Sequence, residues 1–415
     1  MHCLRVPLRA IVGPDNANEK WRAFRMATQV KKSTRFHVLD VRGAPRNLGR
    51  QIGEARRDEV RELVDLVVAR VNKGRTEPIT ATTAGIIAAG AIPFVERYAP
   101  DSMEELRGIA QGAGVKVEQV MLLNARNMLS KADDEVGISH NAPTARRAEP
   151  GTRSRGEREE QSGGCTSLMV SADASATGGA IAGQNWDNDP AMDPFSLVLI
   201  RRPKGKPASM TWTQPGLIAY MGMNDAGIGV CMNALNGPSR RQGVPWYFIV
   251  RTFYEQSSLE GVVDAAERAP RTIPANAAMV TPQGAADLEV TPQAVRVLKA
   301  GRSGRLVHTN HCVHPDLVPH NQHFADRVYG QSVPRKARAE TMLMEAGGPV
   351  GVDAMKRILS DHDGYPTSIC RHPNPDPLTG WQRSVISIIL EPSAERMHVS
   401  RGNPCEAKYE TYTLN

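Results

Sequence analysis

The chain has 415 residues, a net charge of +7 and a pI near 9.1, long enough for one large layered domain. No apolar run approaches the about 20 residues of a membrane helix, and the N-terminus has no continuous apolar stretch of signal-peptide type, so a cytoplasmic protein without a membrane partner is expected. Much of the positive surplus lies between Arg5 and Arg35 with no basic run interleaved with aromatics, which argues against nucleic acid, and six cysteines in this length do not make a disulfide framework.

Residues 1–36 form a polar extension without a period, and the basic run after Met26 makes Met26 an alternative start. Residues 37–130 read as a mainly helical part. A strand over His37–Val41 precedes an amphipathic helix over Glu54–Lys73, with Val60, Leu63, Val64, Val67, Val68 and Val71 on one face. A second helix covers Thr82–Tyr98, with a kink at Pro93 and a stop at Pro100. Met103–Gly114 and Val117–Leu129 follow as helices.

Residues 131–164 break this pattern. Between Lys131 and Glu160 there are six basic and seven acidic residues and almost no large apolar side chains. Such a segment cannot bury enough surface to offset its ordering entropy and reads as a flexible, protease-accessible linker. From 165 to 415 the pattern becomes short strands separated by Gly, Pro or Asp turns. These cover Thr166–Val170, Ala180–Gln184, Ser196–Ile200, Ser209–Thr213, Ile218–Met223 and Gly229–Asn233. A helix over Leu259–Arg268 leads to a meander of Ala278–Val280, Asp287–Val290 and Ala294–Leu298. Helices over Pro334–Glu345 and Val352–Leu359 then precede closing strands Val385–Leu390 and Met397–Ser400. Strands flanked by helices fit a layered α/β sandwich.

The linker ends in Gly163-Gly164-Cys165-Thr166-Ser167, where a strand begins. A polar leader running into Gly-Cys at a strand edge suits self-cleavage of the Gly164–Cys165 bond. Scission would give Cys165 a free α-amine, with a pKa of about 7.7–8.0, beside a thiol whose ordinary pKa is about 8.5. That amine can take the thiol proton, whereas the amide nitrogen of the precursor cannot. The uncut chain would then be a zymogen. Gly164 leaves its carbonyl uncrowded for attack by the thiol.

Further segments recur in one order. They are Arg42-Gly43-Ala44-Pro45, Glu105-Leu106-Arg107-Gly108, Leu123-Asn124-Ala125-Arg126, Gly183-Gln184-Asn185-Trp186-Asp187 and Gly222-Met223-Asn224-Asp225-Ala226-Gly227. Asn233-Ala234-Leu235, His308-Thr309-Asn310-His311 and Ser368-Ile369-Cys370-Arg371-His372 complete the set. With Gly164-Cys165-Thr166-Ser167 they resemble the acyl-coenzyme A:6-aminopenicillanic acid acyltransferase (isopenicillin N acyltransferase) family of N-terminal nucleophile hydrolases. The resemblance runs from about Leu39 to the C-terminus. It implies a four-layer αββα sandwich, autoproteolysis before Cys165, and amide cleavage or acyl transfer through a thioester, without a cofactor. It also implies that the two pieces of the precursor stay together as a heterodimer acting on a small-molecule amide.

Residue by residue, the resemblance makes Cys165 the nucleophile and Asp187 the holder of the new α-amine. Asn310 becomes an oxyanion donor, Asn233 a second donor or substrate contact, Ser167 a neighbour of the cleavage site and Arg371 a cation facing the substrate. Arg335 is a further candidate for that last task. Acyl-coenzyme A-dependent N-acyl transfer is the alternative within the family.

Each residue also has a plainer reading. Cys165 could be a buried thiol, Asp187, Asn233 and Asn310 turn residues, and Arg371 a surface cation. A reading of another class comes from His308, His311, His314, His320 and His323, which with Cys312 could hold zinc for a metal-dependent hydrolase. No HExxH motif or CxxC pair accompanies them, and the preferred reading has no metal.

Overall fold

The computed structural model describes residues 35–72, 78–129, 164–235, 237, 239–240, 242–324, 328–375 and 380–415. The polar extension up to residue 34 and the charged linker up to Gly163 lie outside the described residues, as does Met26.

Among the described residues, fourteen strands in two sheets make the inner layers. The larger sheet has the order β1-β4-β5-β6-β7-β8-β9-β10 and the smaller β11-β2-β3-β12-β13-β14. In the larger sheet β1 is Val38–Gly43, β4 Leu197–Pro203, β5 Ser209–Thr213, β6 Gly222–Asn224 and β7 Gly229–Ala234. Its remaining strands are β8 Ala275–Thr281, β9 Gly284–Val290 and β10 Val295–Lys299. In the smaller sheet β2 is Cys165–Val170, β3 Ile181–Asn188, β11 Arg305–His308, β12 Arg383–Glu391, β13 Arg396–Arg401 and β14 Tyr409–Thr413. The described pairings are antiparallel except β1 with β4.

Alternation along β2 assigns its two faces. Met169 joins the core between the sheets, whereas Leu168 and Val170 pack outward with Val307, Leu343 and Ile358. That outer layer is built from α9 (Val333–Glu345) and α10 (Val352–Leu359). On the opposite side, α5 (Pro100–Ala113), α6 (Val117–Leu129), α7 (Trp246–Phe253) and α8 (Leu259–Arg268) back the larger sheet. The result is the αββα sandwich expected from the sequence, with a mainly helical part before the linker.

A buried ion pair joins two of these layers. Glu105 of α5 accepts from Arg201 Nε of β4 at 2.7 Å and from Arg251 Nη2 of α7 at 3.4 Å. Asn124 of α6 donates to Gly216 O and accepts from Ile218 N, each at 2.9 Å, and so shapes the loop after β5. These contacts explain two of the sequence motifs as framework.

The predicted boundaries differ from the structure where proline and glycine act through packing. The helix expected over Glu54–Lys73 is α2 (Arg57–Asn72), and an unforeseen helix, α1 (Pro45–Ala55), precedes it. The helix expected over Thr82–Tyr98 is split into α3 (Ala81–Ala89) and α4 (Ile92–Tyr98), with Pro93 in the first turn of α4. Pro100 begins α5, and Gly114 ends it in the left-handed conformation. The strand expected over Ile218–Met223 is confined to β6, while α7 and β14 carried no signal that was read from the sequence.

The crossing of α1 and α5 shows why α1 was missed. Gly49 and Gly53 meet Gly108 and Gly112, so the helix interface is made of backbone rather than apolar side chains. A methyl group on Gly49 would lie 1.8 Å from Glu105 O, and one on Gly108 2.1 Å from Arg46 O. Gly49→Ala is therefore expected to cost about 1–3 kcal/mol, while Gly348→Ala, which meets nothing within 4 Å, should stay within about 0.5 kcal/mol of the parent. Urea unfolding of the two variants checks this; equal midpoints would contradict the close crossing.

Candidate active site

The site lies at the start of β2, where β2 and β3 pair in the register Cys165↔Trp186, Ser167↔Gln184. The pairing reaches one residue further back, because Asp187 N donates to Gly164 O at 2.8 Å. The Gly164–Cys165 peptide is thus held as the first rung of a buried ladder. Its nitrogen is held too: Cys165 N donates to Asn310 Oδ1 at 2.9 Å.

Arg335 of α9 closes the far side. It donates through Nη1 to Cys165 O at 2.7 Å and to Thr166 Oγ1 at 3.0 Å, and through Nη2 to Asn310 Oδ1 at 2.9 Å. Both neighbours of that Asn310 oxygen are donors, which fixes the amide orientation. Asn310 Nδ2 turns away and donates to Ala234 O at 3.1 Å. Towards the Cys165 nitrogen, Asn310 therefore presents an acceptor.

Asp187 stands on the other side of the junction. Its Oδ1 accepts from Ser384 Oγ at 2.7 Å, and its Oδ2 lies 3.7 Å from Arg371 Nε and accepts no hydrogen bond among the described residues. Gly164 fits against this carboxylate: a first side-chain carbon at 164 would sit 2.7 Å from Asp187 Oδ2 and 3.3 Å from Arg371 Cζ. Only glycine passes between the two groups without displacing them.

Burial shapes the electrostatics. It raises the Asp187 carboxyl to about 6, against the opposing pull of Arg371 and Arg335. Burial, with the Asp187 charge, pushes the Cys165 thiol up to about 12. Arg335 is lowered to about 10 by burial and by Arg371, and stays charged at neutral pH. Arg371 is fully buried and donates to Gln331 Oε1 at 3.2 Å and Gln382 Oε1 at 3.1 Å. Neither arginine presents its charge to solvent, as a plain surface cation would.

Two residues along β2, Ser167 Oγ donates to Asn233 Oδ1 of β7 at 2.7 Å. Asn233 Nδ2 is buried and has no acceptor among the described residues. Gln184, opposite Ser167, reaches the same strand: its Oε1 accepts from Met232 N at 2.8 Å and its Nε2 donates to Met232 O. The four residues of the Gln-Asn-Trp-Asp motif thereby divide their work by alternation. Gln184 binds the opposite sheet, and Trp186 packs on Trp212 and Tyr220 between the sheets. Asn185 points outward and donates to Leu359 O and Ile369 O, and Asp187 faces the junction.

Of the histidines named for the alternative metal site, His323 has a side chain outside the described ones, and among the rest only His308 belongs to a group that could hold a metal, with Asp287 and Glu289. His308 Nε2 faces Glu289 Oε1 at 3.0 Å and Asp287 Oδ2 at 3.6 Å, while His311 turns to Thr309 and Ser332. Among the described residues, no group that could hold a metal includes His311, His314 or His320. The His308–Glu289 pair instead supports the strand end before Asn310, whose N donates to Ser332 Oγ at 2.7 Å.

Sequence reasoning placed Gly164, Cys165, Asp187, Asn310, Arg335 and Arg371, which the structure gathers around one peptide, and Ser167 with Asn233, which it pairs next door. It missed Ser384, Gln331, Gln382 and Ser332. These are uncharged side chains in segments without a motif, and only tertiary contact reveals them.

Comparison with known proteins adds the following. A family model described as acyl-coenzyme A:6-aminopenicillanic acid acyl-transferase matches residues 175–406. The chain is 26% identical over 339 residues to the acyl-coenzyme A:6-aminopenicillanic-acid-acyltransferase 40 kDa form of Emericella nidulans, covering 81% of this chain and 84% of that protein. Among solved structures, it is similar to a variant of conjugated bile acid hydrolase from Clostridium perfringens, at 13% identity and a TM-score of 0.39, over 60% of this chain and 97% of that one. It is also similar to penicillin V acylase from Agrobacterium tumefaciens, at 12% identity and a TM-score of 0.34, over 57% of this chain and 83% of that one.

The two-way bond between Gln184 and Met232 makes a stability prediction. Gln184→Leu keeps the bulk but leaves a buried N–H and C=O without partners, at roughly 2–5 kcal/mol in total. Chemical denaturation in a Cys165→Ala background measures it; a loss below about 0.5 kcal/mol would remove Gln184 as the tie between the sheets.

Proposed function

Because the chain belongs to the acyl-coenzyme A:6-aminopenicillanic acid acyl-transferase family, we propose that it is an enzyme made by its own cleavage at Gly164–Cys165, acting afterwards on amides through Cys165. The observation that carries this reading is the treatment of that one peptide. Its carbonyl oxygen has a donor in Asp187 N, its nitrogen an acceptor in Asn310, and its glycine leaves room for a carboxylate.

In the processing step the Cys165 sulfur attacks the Gly164 carbonyl carbon. The Asp187 N–H already on that oxygen stabilises the negative charge that develops there. Breakage of the C–N bond leaves Gly164 as a thioester on Cys165, and the thiol proton ends on the new amine. Water then hydrolyses the thioester, releasing Gly164 as a carboxylate and restoring the thiol. Asp187, with its carboxyl near 6, can accept and return a proton beside the junction at neutral pH.

Burial that pushes the thiol up to about 12 keeps it protonated at neutral pH, with no thiolate ready for an outside substrate. The uncut site is therefore nearly inert towards outside substrates. After the cut, the α-amine of Cys165 serves as the base. Asp187 and the Asn310 oxygen hold that amine, Arg335 keeps the Cys165 carbonyl in place, and Asn233 Nδ2 is the donor available to a substrate oxyanion. In turnover the Cys165 thiolate attacks the amide, the amine returns its proton to the leaving nitrogen, and the acyl group passes to water or to an acceptor amine. Residues on both sides of the cut share one core, so the pieces remain a heterodimer. The substrate is a small molecule with an amide bond.

Intact-mass analysis and N-terminal sequencing test the reading. The parent should yield a second chain beginning Cys-Thr-Ser, and Cys165→Ala should stay as one species near 45.2 kDa without turnover. Gly164→Val, which pushes against Asp187, should slow the cut at least about tenfold, a rise of about 1.4 kcal/mol in the barrier. An uncut parent that hydrolyses amides at full rate would end the proposal.

A further inference from the structure

On the far side of Arg371 lies a second cluster that the proposed reaction does not use. His362 follows α10, Cys370 and His372 flank Arg371 in the loop before β12, and Cys405 lies between β13 and β14. Their ligand atoms all lie within 4.8 Å of one another, and three of the four residues are buried. Cys370 Sγ is 3.6 Å from Cys405 Sγ and 3.6 Å from His372 Nε2. Cys405 Sγ is 3.4 Å from His372 Nε2, which is 3.2 Å from His362 Nε2.

These distances can be set against the edges of a metal tetrahedron. Zinc binds Cys sulfur at about 2.3 Å and His nitrogen at about 2.0–2.1 Å. Tetrahedral angles then give edges of about 3.8 Å between sulfurs, about 3.5 Å between sulfur and nitrogen and about 3.3 Å between nitrogens. The four observed edges match these within about 0.2 Å. A disulfide does not, since its sulfurs lie about 2.05 Å apart.

Charge and surroundings agree. Two thiolates and two neutral imidazoles around a divalent ion sum to zero, which a buried site tolerates. Asn403 Nδ2 donates to Cys370 Sγ at 3.4 Å and to Arg371 O at 2.6 Å, and Ser368 Oγ donates to Cys370 O at 2.7 Å. Such outer bonds commonly fix metal ligands.

We propose that His362, Cys370, His372 and Cys405 form a structural zinc site. With four protein ligands it has no open position and takes no part in bond breaking. Its role is to position Arg371. Cys370 and His372 turn to the ion while the residue between them turns to Asp187, so the ion fixes the loop that carries the guanidinium to the cleavage site. The chain then has a metal where the preferred sequence reading had none, and away from the histidines of the alternative reading.

Elemental analysis of the full chain, purified without chelator, should find one zinc per chain. It should find the same in the Cys165→Ala form, which separates the metal site from self-cleavage. Cys405→Ser should lose the zinc and lower the melting temperature, whereas Cys312→Ser should keep both. Because Cys405→Ser could fail to fold, His362→Cys serves as a ligand-preserving variant that retains one zinc. Cobalt(II) in place of zinc should give the intense visible bands of a tetrahedral ion, with thiolate charge transfer that strengthens in His362→Cys. Less than a tenth of an equivalent of zinc after reconstitution, or a Cys370–Cys405 disulfide in fresh protein, or full zinc in Cys405→Ser, would overturn the site.

Discussion

The register between β2 and β3 is the constraint on which the site depends. Side chains alternate along a strand, so a slip of one residue would exchange the two faces of β2. In the observed register Ser167 and Met169 look between the sheets while Thr166, Leu168 and Val170 look to the outer helices. The same register delivers the Asp187 N–H to the Gly164 oxygen. The tie from Gln184 to Met232 pins the register from across the sandwich, and the bonds from Asn185 to Leu359 and Ile369 pin it from the outside.

Around that ladder the protein buries two arginines and an aspartate within a few ångströms. Buried charges are tolerated only with partners, and each here has at least one. Arg335 is satisfied by Cys165, Thr166 and Asn310, and Asp187 by Ser384 with Arg371 nearby. These groups fix a main-chain carbonyl, an amide oxygen and a carboxylate relative to one another. Their placement comes from three separate parts of the fold, namely α9, β3 and the loop before β12.

Much of this was legible in the sequence, and the reasons differ by element. The strand series after Cys165 and the apolar face of α2 repeat with the periods of their structures, so periodicity found them. The α1–α5 crossing is made by glycines and main-chain atoms, and hydrophobic pattern has nothing to register there. The site residues Cys165, Asp187, Asn233 and Asn310 were visible through motifs, but what each atom does was not. Asn310 turned out to offer its oxygen to Cys165 because Arg335 occupies the other side of that oxygen. Arg371 and Arg335 read as cations facing a substrate, and their burial was not legible because a sequence carries no burial. Cys370 and Cys405 lie 35 positions apart with no pairing pattern, and only the closing strands bring them together.

The parallel partnership of β1 with β4 has a consequence for the protein as a made object. A strand from before the linker is sewn into a sheet formed otherwise from residues after it, and Glu105 is locked onto Arg201 from across the same divide. Were the backbone opened at residue 164, the larger sheet would be completed only by both fragments together, and neither would have a satisfied interior of its own. Severing the thread there would change the number of molecules without loosening the weave.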